Sequence, residues 1–325
     1  MRCGRSSGLI SKRVGRLEGG KDDLPTVQLS NREGQTFAGS SLLVRYVNFV
    51  RLPHTLFALP FALLGVVVAS YRSAVTWRAI ALVVVAFTAA RFVAMGFNRI
   101  ADRALDARNP RTSNRELPSG RLTLTQAWKG VITAGLVFGI AAWALNPLCL
   151  ALSPFALAWI AAYSYTKRFT HWSHLWLGFS LAIAPAGGYL AIAGTWSDPW
   201  WLLLVIAAAV TCWVAGFDVF YALQDEAFDR AERLKSLVVR LGQGRGILVA
   251  KALHGVAVVA LLGFGLGAGL GWPYYAGVGI GAGLLAWEHQ LVGPGNLSRL
   301  DAAFFLANGL VSIIVFLGAL VDRIL

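Results

Sequence analysis

The stretch Leu202-Leu-Leu-Val-Ile-Ala-Ala-Ala-Val-Thr-Cys-Trp-Val-Ala-Gly216 carries no charged side chain, and Asp218 follows it almost at once. With its flanks it forms an apolar run over residues 199–219. An α-helix needs about 20 such residues to cross a hydrocarbon core of roughly 30 Å. The run shows no alternation of polar and apolar residues, and backbone groups in lipid must be hydrogen-bonded within the chain. We therefore predict a transmembrane helix rather than a barrel strand.

Further runs of the same kind indicate a polytopic membrane protein with an all-α fold. The composition agrees, since 57% of the 325 residues are hydrophobic and only 14% are charged. The nine predicted spans cover, to within a few residues, 52–71, 78–98, 123–145, 147–166, 174–194, 199–219, 246–270, 273–291 and 301–321. Residues 1–43 are polar and basic and lack an apolar stretch, so we expect a disordered tail there and a transmembrane domain over residues 44–325.

The basic residues predict the orientation of the chain. With the N-terminus inside, most Arg and Lys residues fall in inward loops, whereas the outward loops hold only Arg72 and Arg78. This one-sided distribution follows the positive-inside rule. We therefore expect a protein of the bacterial inner (cytoplasmic) membrane whose N-terminus is cytoplasmic. The net charge of +13 then reflects membrane topology, and a nucleic-acid partner is not expected.

Several other patterns are better explained by packing than by chemistry. The glycine-rich stretches 263–271 and 277–283 lie inside apolar runs with no preceding strand, so we interpret them as helix contacts rather than nucleotide loops. The three cysteines are far apart and offer no disulfide framework. His171 and His174 are interpreted as interfacial loop residues, because the histidines show no spacing typical of zinc ligands.

Two polar clusters at the inward ends of apolar runs are the main candidates for a functional site. Their members recur every third or fourth residue, so each cluster lines one face of a helix. The first cluster is Asn98, Asp102 and Asp106, and the second is Asp218, Tyr221, Asp225 and Asp229. Carboxylates one turn apart repel each other, and hard oxygen ligands suit Mg²⁺, which proteins often hold together with substrate phosphates. We predict that Asp102, Asp106, Asp225 and Asp229 bind Mg²⁺ and thereby clamp a diphosphate.

Basic and aromatic residues near these clusters complete the predicted site. Arg111, Arg115 and Lys167 are candidates to bind phosphate oxygens. Arg91 lies in mid-span on the face of Asn98, where either a functional role or a structural ion pair is expected. The remaining candidates are Arg51, as a topology anchor or an anion contact, and Tyr163 and Tyr221, as hydrogen-bonding partners of a substrate.

At these positions the chain resembles the UbiA superfamily of intramembrane prenyltransferases. That family carries N-x-x-x-D-x-x-x-D after its second span, matched here by residues 98–106, and D-x-x-x-D after its sixth, matched by Asp225 and Asp229. The stretch Arg111-Thr-Ser-Asn-Arg-Glu-Leu-Pro-Ser-Gly120 agrees as well. The resemblance runs from about Val44 to the C-terminus. The stretch Tyr221-Ala-Leu-Gln-Asp225 is similar to the branch that prenylates 4-hydroxybenzoate and to relatives that act on a dihydroxynaphthoate.

The resemblance implies nine helices around a central cavity, with Mg²⁺ bridging both aspartate motifs to a polyprenyl diphosphate. The implied reaction transfers the polyprenyl group to an aromatic hydroxy acid, first of all 4-hydroxybenzoate in quinone biosynthesis. A dihydroxynaphthoate for menaquinone synthesis is the alternative acceptor. In this mechanism Asp218 would orient or deprotonate the phenol, and Arg51 or Arg91 would hold the carboxylate. An ion-coupled transporter is the alternative class, although transporters place their acids near the midplane rather than at helix ends.

Overall fold

The computed structural model describes residues 37, 39, 41–51, 55–293 and 307–325. Helices make up the regular elements of these ranges, and the predicted all-α class is confirmed. They are α1 (Leu42–Phe49), α2 (Thr55–Ala69), α3 (Trp77–Ala101), α4 (Arg103–Arg108), α5 (Leu124–Leu145), α6 (Pro147–Phe169), α7 (Ser173–Ala193), α8 (Leu202–Ala231), α9 (Leu237–Leu241), α10 (Gln243–Ala268), α11 (Trp272–Leu291) and α12 (Gly309–Ile324). Most of the predicted tail of residues 1–43 lies outside the described residues, so the predicted domain boundary stays a prediction.

Six of the described helices are long and apolar enough to cross a membrane, namely α3, α5, α6, α7, α8 and α10. Three predicted spans coincide with α2, α11 and α12, which do not meet the same criterion in the described ranges. The predicted count of nine spans is therefore not confirmed. On α5, a stripe of large apolar side chains that includes Ile132, Leu136 and Trp143 is 57 to 68% exposed, which suits contact with lipid tails.

Polar caps explain why α5 and α6 form an antiparallel pair. Thr123 Oγ1 accepts from Gln126 N and Gln126 Oε1 accepts from Thr123 N, so a reciprocal capping box starts α5. Asn146 ends α5, and its Oδ1 accepts from Cys149 N to start α6, with Pro147 in the first helical position. A single residue thus joins the two helices, which forces the chain to reverse direction.

Helix α8 lies in the middle of the bundle and buries more of its length than any other candidate span in the described part. It packs mainly against α7 and α10. Its Trp213 is 2% exposed, lies 5.0 Å from Phe61 of α2 between ring centroids, and donates its Nε1–H to Asn308. A buried indole needs such a partner for its N–H. The helix that carries the second aspartate cluster is therefore held firmly on several sides.

Glycine allows α2 and α7 to approach each other at backbone distance. A Cβ atom on Gly188 of α7 would overlap the carbonyl oxygen of Ala62, and one on Gly65 of α2 would overlap that of Pro185. The predicted packing role of glycine is also confirmed at Gly277 of α11, where a Cβ would lie 2.8 Å from the backbone oxygen of Ile314. Small residues at such crossings are typical of helix contacts in membranes.

We expect Gly188→Ala to lower the free energy of unfolding by about 1–3 kcal/mol, because the added methyl group must push two backbones apart. Gly187→Ala is the matched control, since a Cβ at Gly187 would meet no atom within 4 Å. Thermal unfolding of the purified variants in detergent measures the difference. Equal midpoints for both variants would show that the α2–α7 contact has room to relax.

Candidate active site

A cavity of about 800 Å³ lies among α2, α3, α6, α7 and α8 and is covered at one end by α4 and the segments that flank it. It brings together every residue that the sequence singled out for a site. These are Arg51, Arg91, Asn98, Asp102, Asp106, Arg111, Arg115, Tyr163, Lys167, Asp218, Tyr221, Asp225 and Asp229. Both aspartate clusters therefore face the same space.

Helices α3 and α8 position the two clusters in different ways. Helix α8 continues to Ala231, well beyond the predicted end at residue 219, so the whole second cluster lies on one uninterrupted helix. The first cluster instead spans a break, because α3 ends at Ala101 and Asp106 lies on α4. The Asp106 N–H still donates to the Asp102 carbonyl over 2.8 Å. The four-residue spacing is thus kept across the break.

Each of the four predicted metal ligands forms an ion pair with a base of the chain. The pairs are Asp102 with Arg168 at 3.0 Å, Asp106 with Arg115 at 2.7 Å, Asp225 with Arg111 at 2.6 Å and Asp229 with Lys167 at 3.0 Å. The Arg111 contact is bidentate, since its Nε also donates to Asp225 Oδ1 over 2.9 Å. The repulsion that led us to expect a cation between the carboxylates is therefore already offset by arginine and lysine.

Opposing effects act on the pKa of Asp102, which lies just past the end of α3. Burial raises the pKa of its carboxyl group, and the hydrogen bond from Arg168 opposes this change. Asn98 Nδ2 also donates to Asp102 Oδ2 over 2.9 Å, so one residue of the predicted cluster supports another. The net result is a carboxyl group that is protonated more easily than a free aspartate.

The donor set fits a magnesium ion that shares its coordination with a substrate. Asp106 Oδ2 is buried and has no hydrogen-bond partner in the described part of the chain, so one carboxylate oxygen is available for a cation. Within the same ranges, His, Cys, Asp and Glu side chains form no group of three or more that could hold a metal ion. Mg²⁺ suits such a site, because one or two carboxylates with phosphate oxygens and water complete its octahedral shell.

Arg91 differs from the other bases of the cavity. Its Nε is buried without a hydrogen-bond partner, and no charged neighbour among the described residues compensates the guanidinium. The structural ion pair that the sequence left open is therefore not present in this part. Arg91 precedes Asp102 by eleven residues and Asp218 precedes Asp229 by eleven, so both lie about 16 Å further into the bundle than those aspartates. Both side chains line the cavity.

The interpretation of His174 as an interfacial loop residue is wrong. Its side chain is fully buried at the start of α7, and its Nδ1 lies 2.6 Å from Asp218 Oδ2. Its burial follows from the close packing of α7 on α8, because an added Cβ at Gly178, four residues later, would overlap the backbone of Thr211 in α8. The sequence gave no role to Asn109, which donates to Asp225, and it did not single out Arg168, the ion-pair partner of Asp102, as a site residue.

Comparisons with known proteins agree with this architecture. A family model described as the UbiA prenyltransferase family matches residues 58–309. The chain is 34% identical over 221 residues to a 4-hydroxybenzoate octaprenyltransferase of Nitrosococcus oceani, covering 67% of this chain and 75% of that protein. A solved UbiA homolog from Aeropyrum pernix K1 is 32% identical with a TM-score of 0.76, covering 84% of this chain and 98% of the other.

A UbiA homolog from Archaeoglobus fulgidus, solved with GPP and Mg²⁺ bound, has a TM-score of 0.63 and covers 86% of this chain and all of the other. At 17% identity this likeness shows the fold alone.

Proposed function

The chain belongs to the UbiA prenyltransferase family, and from this premise we propose that it transfers a polyprenyl group from a polyprenyl diphosphate to 4-hydroxybenzoate, with Mg²⁺ as cofactor. It is accordingly a prenyltransferase and a multi-pass integral membrane protein. The choice of acceptor is supported by the relatives at 30–34% identity, which are named for 4-hydroxybenzoate.

One observation carries the proposal: a single cavity has paired carboxylates and bases at one end and an uncompensated arginine deeper among apolar walls. The end with paired carboxylates and bases suits a diphosphate, and the deeper part around Arg91 suits an aromatic carboxylate. Residues such as Val83, Phe87 and Leu152 line the remaining wall and suit an isoprenoid chain. A protein that only conducted ions would not need the apolar part.

At the diphosphate end, Arg111, Arg115 and Lys167 would turn from their aspartates to phosphate oxygens when substrate enters. Asp102, Asp106, Asp225 and Asp229 would then hold Mg²⁺. When bound, the metal would neutralise charge on the leaving diphosphate. The guanidinium and ammonium groups would stabilise the same charge as the C1–O bond breaks and its electron pair departs with the diphosphate. Asn98 would keep Asp102 in place through its amide.

At the acceptor end, Arg91 would bind the carboxylate of the aromatic acid, with Arg51 as a further contact. Asp218, which shares the depth of Arg91, would face the phenol hydroxyl with Tyr163 and Tyr221 beside it. The ring carbon ortho to the hydroxyl supplies the electron pair of the new C–C bond, and one proton is released overall as the ring regains aromaticity. Asp218 would accept the phenolic proton, which makes the ring electron-rich during attack.

The walls of the cavity would protect the allylic cation from water. A water-poor chamber also strengthens each electrostatic contact within it. We further propose that the aspartate end faces the cytoplasm and that the membrane is the bacterial inner membrane. The inward excess of Arg and Lys supports this orientation.

The acceptor assignment is tested by incubating membranes that contain the protein with Mg²⁺, geranyl diphosphate and either 4-hydroxybenzoate or a dihydroxynaphthoate. We expect a ring-prenylated 4-hydroxybenzoate, identified by its mass, and no product after chelation with EDTA or in membranes without the protein. A product from the dihydroxynaphthoate alone would move the assignment to menaquinone synthesis. Formation of neither prenylated acid would contradict the proposed function.

A further inference from the structure

His174 and Asp218 form a pair in which both residues line the cavity but only the aspartate has exposed surface. The His174 side chain is 0% exposed, whereas the Asp218 side chain is 19% exposed and lines the cavity. Their contact, from Nδ1 to Oδ2, measures 2.6 Å. The other ring nitrogen, Nε2, accepts the backbone N–H of Leu237 over 3.4 Å. The imidazole therefore bridges Asp218 to the first residue of α9.

These two contacts define where the proton of the ring lies. Because Nε2 accepts an amide N–H, it carries no proton of its own. A neutral imidazole then has its proton on Nδ1, and Nδ1 must be the donor to Asp218 Oδ2. In a doubly protonated ring, the His174 Nε2–H would face the backbone N–H of Leu237, and two donors would meet without an acceptor. Asp218 therefore acts as the acceptor in this pair.

The segment that holds Leu237 is also tied to the diphosphate end of the cavity. Lys235 N donates to the Lys167 carbonyl over 2.7 Å. Lys167 in turn is paired with Asp229. The same short connection between α8 and α9 therefore anchors a base of the diphosphate end and, through His174, the acid that faces the acceptor.

We propose that His174 is a positioning residue for prenyl transfer: it orients the Asp218 carboxylate by donating from Nδ1, and it fixes that orientation to the α8–α9 segment through Leu237. This inference rests on the proposed function, because it takes Asp218 as the group that contacts the acceptor hydroxyl. The His174 side chain borders the cavity but has no exposed surface, so we assign it no contact with substrate. Its effect on turnover passes entirely through Asp218.

The kinetic test compares His174→Ala, His174→Asn and the control His171→Ala. Loss of a residue that orients a metal ligand typically costs 10–100-fold, and by analogy we expect His174→Ala to lower kcat by about that factor, with the KM for geranyl diphosphate unchanged. Asn places an amide N–H near the position of Nδ1 and should recover most of the loss. His171→Ala removes a nearby histidine whose contact is with Ser236 rather than Asp218, and should retain normal turnover.

A double variant separates positioning from a general structural effect. If His174 acts through Asp218, His174→Ala combined with Asp218→Asn should be no slower than Asp218→Asn alone. The proposal would be overturned if the double variant lost activity by the product of the two single losses. It would also be overturned if His174→Ala raised both KM values and His174→Asn did not restore them.

The coupling between the same two substitutions can also be measured without an activity assay, from the unfolding midpoints of the variants in detergent. Non-additive shifts in the unfolding midpoint are expected, because the two side chains share one hydrogen bond. Additive shifts would show that the contact contributes nothing and would refute the proposal. Absence of prenylated acid with the unaltered protein would instead refute the proposed function, while the unfolding cycle would still decide whether the pair exists.

Discussion

Asp225→Asn is expected to reduce prenyl transfer by about 10³-fold, the largest loss that we predict for a single substitution. Asn keeps the size of the side chain but removes the negative charge. Arg111, which makes two hydrogen bonds to Asp225 at 2.6 and 2.9 Å, would lose its counter-ion, and the proposed metal would lose a ligand. Prenylated product from membranes with Mg²⁺ and geranyl diphosphate is the measurement.

The matched control for this substitution is Asp198→Asn. Asp198 also pairs with an arginine, Arg72, but its side chain is 90% exposed and does not line the cavity. We expect normal turnover from this variant. Elution of each variant as a single species in detergent establishes that it is folded. An Asp225→Asn protein that is folded and retains more than about a tenth of the activity would exclude a metal-binding role for Asp225.

Arg91→Met is expected to raise the KM for 4-hydroxybenzoate by about 10²-fold, because a charged hydrogen bond in a dry site contributes roughly 1.5–3 kcal/mol. The KM for geranyl diphosphate should stay the same, since Arg91 lies about 16 Å from the aspartate end. The loss should be confined to acceptors that carry a carboxylate. Steady-state kinetics with 4-hydroxybenzoate and with unsubstituted phenol measure both effects.

The same substitution should leave the protein as stable as before or make it more stable. The Arg91 Nε has no hydrogen-bond partner in the described part, so Met removes a buried charge that the fold does not compensate. Arg91→Lys keeps the charge but not the planar fork, and should recover only part of the affinity. A lower unfolding temperature for Arg91→Met would indicate a structural role, and an equal loss with phenol would contradict carboxylate binding.

Much of the bundle is predicted from the sequence because hydropathy locates its long helices. Helix α5, predicted over residues 123–145, is observed over Leu124–Leu145. Helical spacing likewise predicts which acids face the cavity together, since Asp218, Asp225 and Asp229 must share a face of any helix that contains them. The span predicted in α8 ended at residue 219, because the acids that face the cavity lower the hydropathy of the segment. The helix nevertheless continues to Ala231.

Other parts of the site depend on contacts between distant segments and leave no local pattern. The partner of Asp102 is Arg168, on a different helix, and Arg111 meets Asp225 across a similarly large separation in sequence. Nothing in the spacing of either motif indicates which base pairs with which acid. The burial of His174 likewise follows from how the start of α7 packs on α8, so a single sequence without tertiary information places it at the interface.

The pairing of the four aspartates with arginine and lysine has a consequence for the protein before it binds substrate. Each of the four aspartates already has a compensating base in the described part of the chain, so we expect the fold to form without magnesium. In the proposed mechanism, a magnesium diphosphate would bind by exchange of partners, with the cation bound by the acids and the anion bound by the bases. If prenyl transfer depends on Mg²⁺ as proposed, depleting magnesium would stop turnover without unfolding the protein.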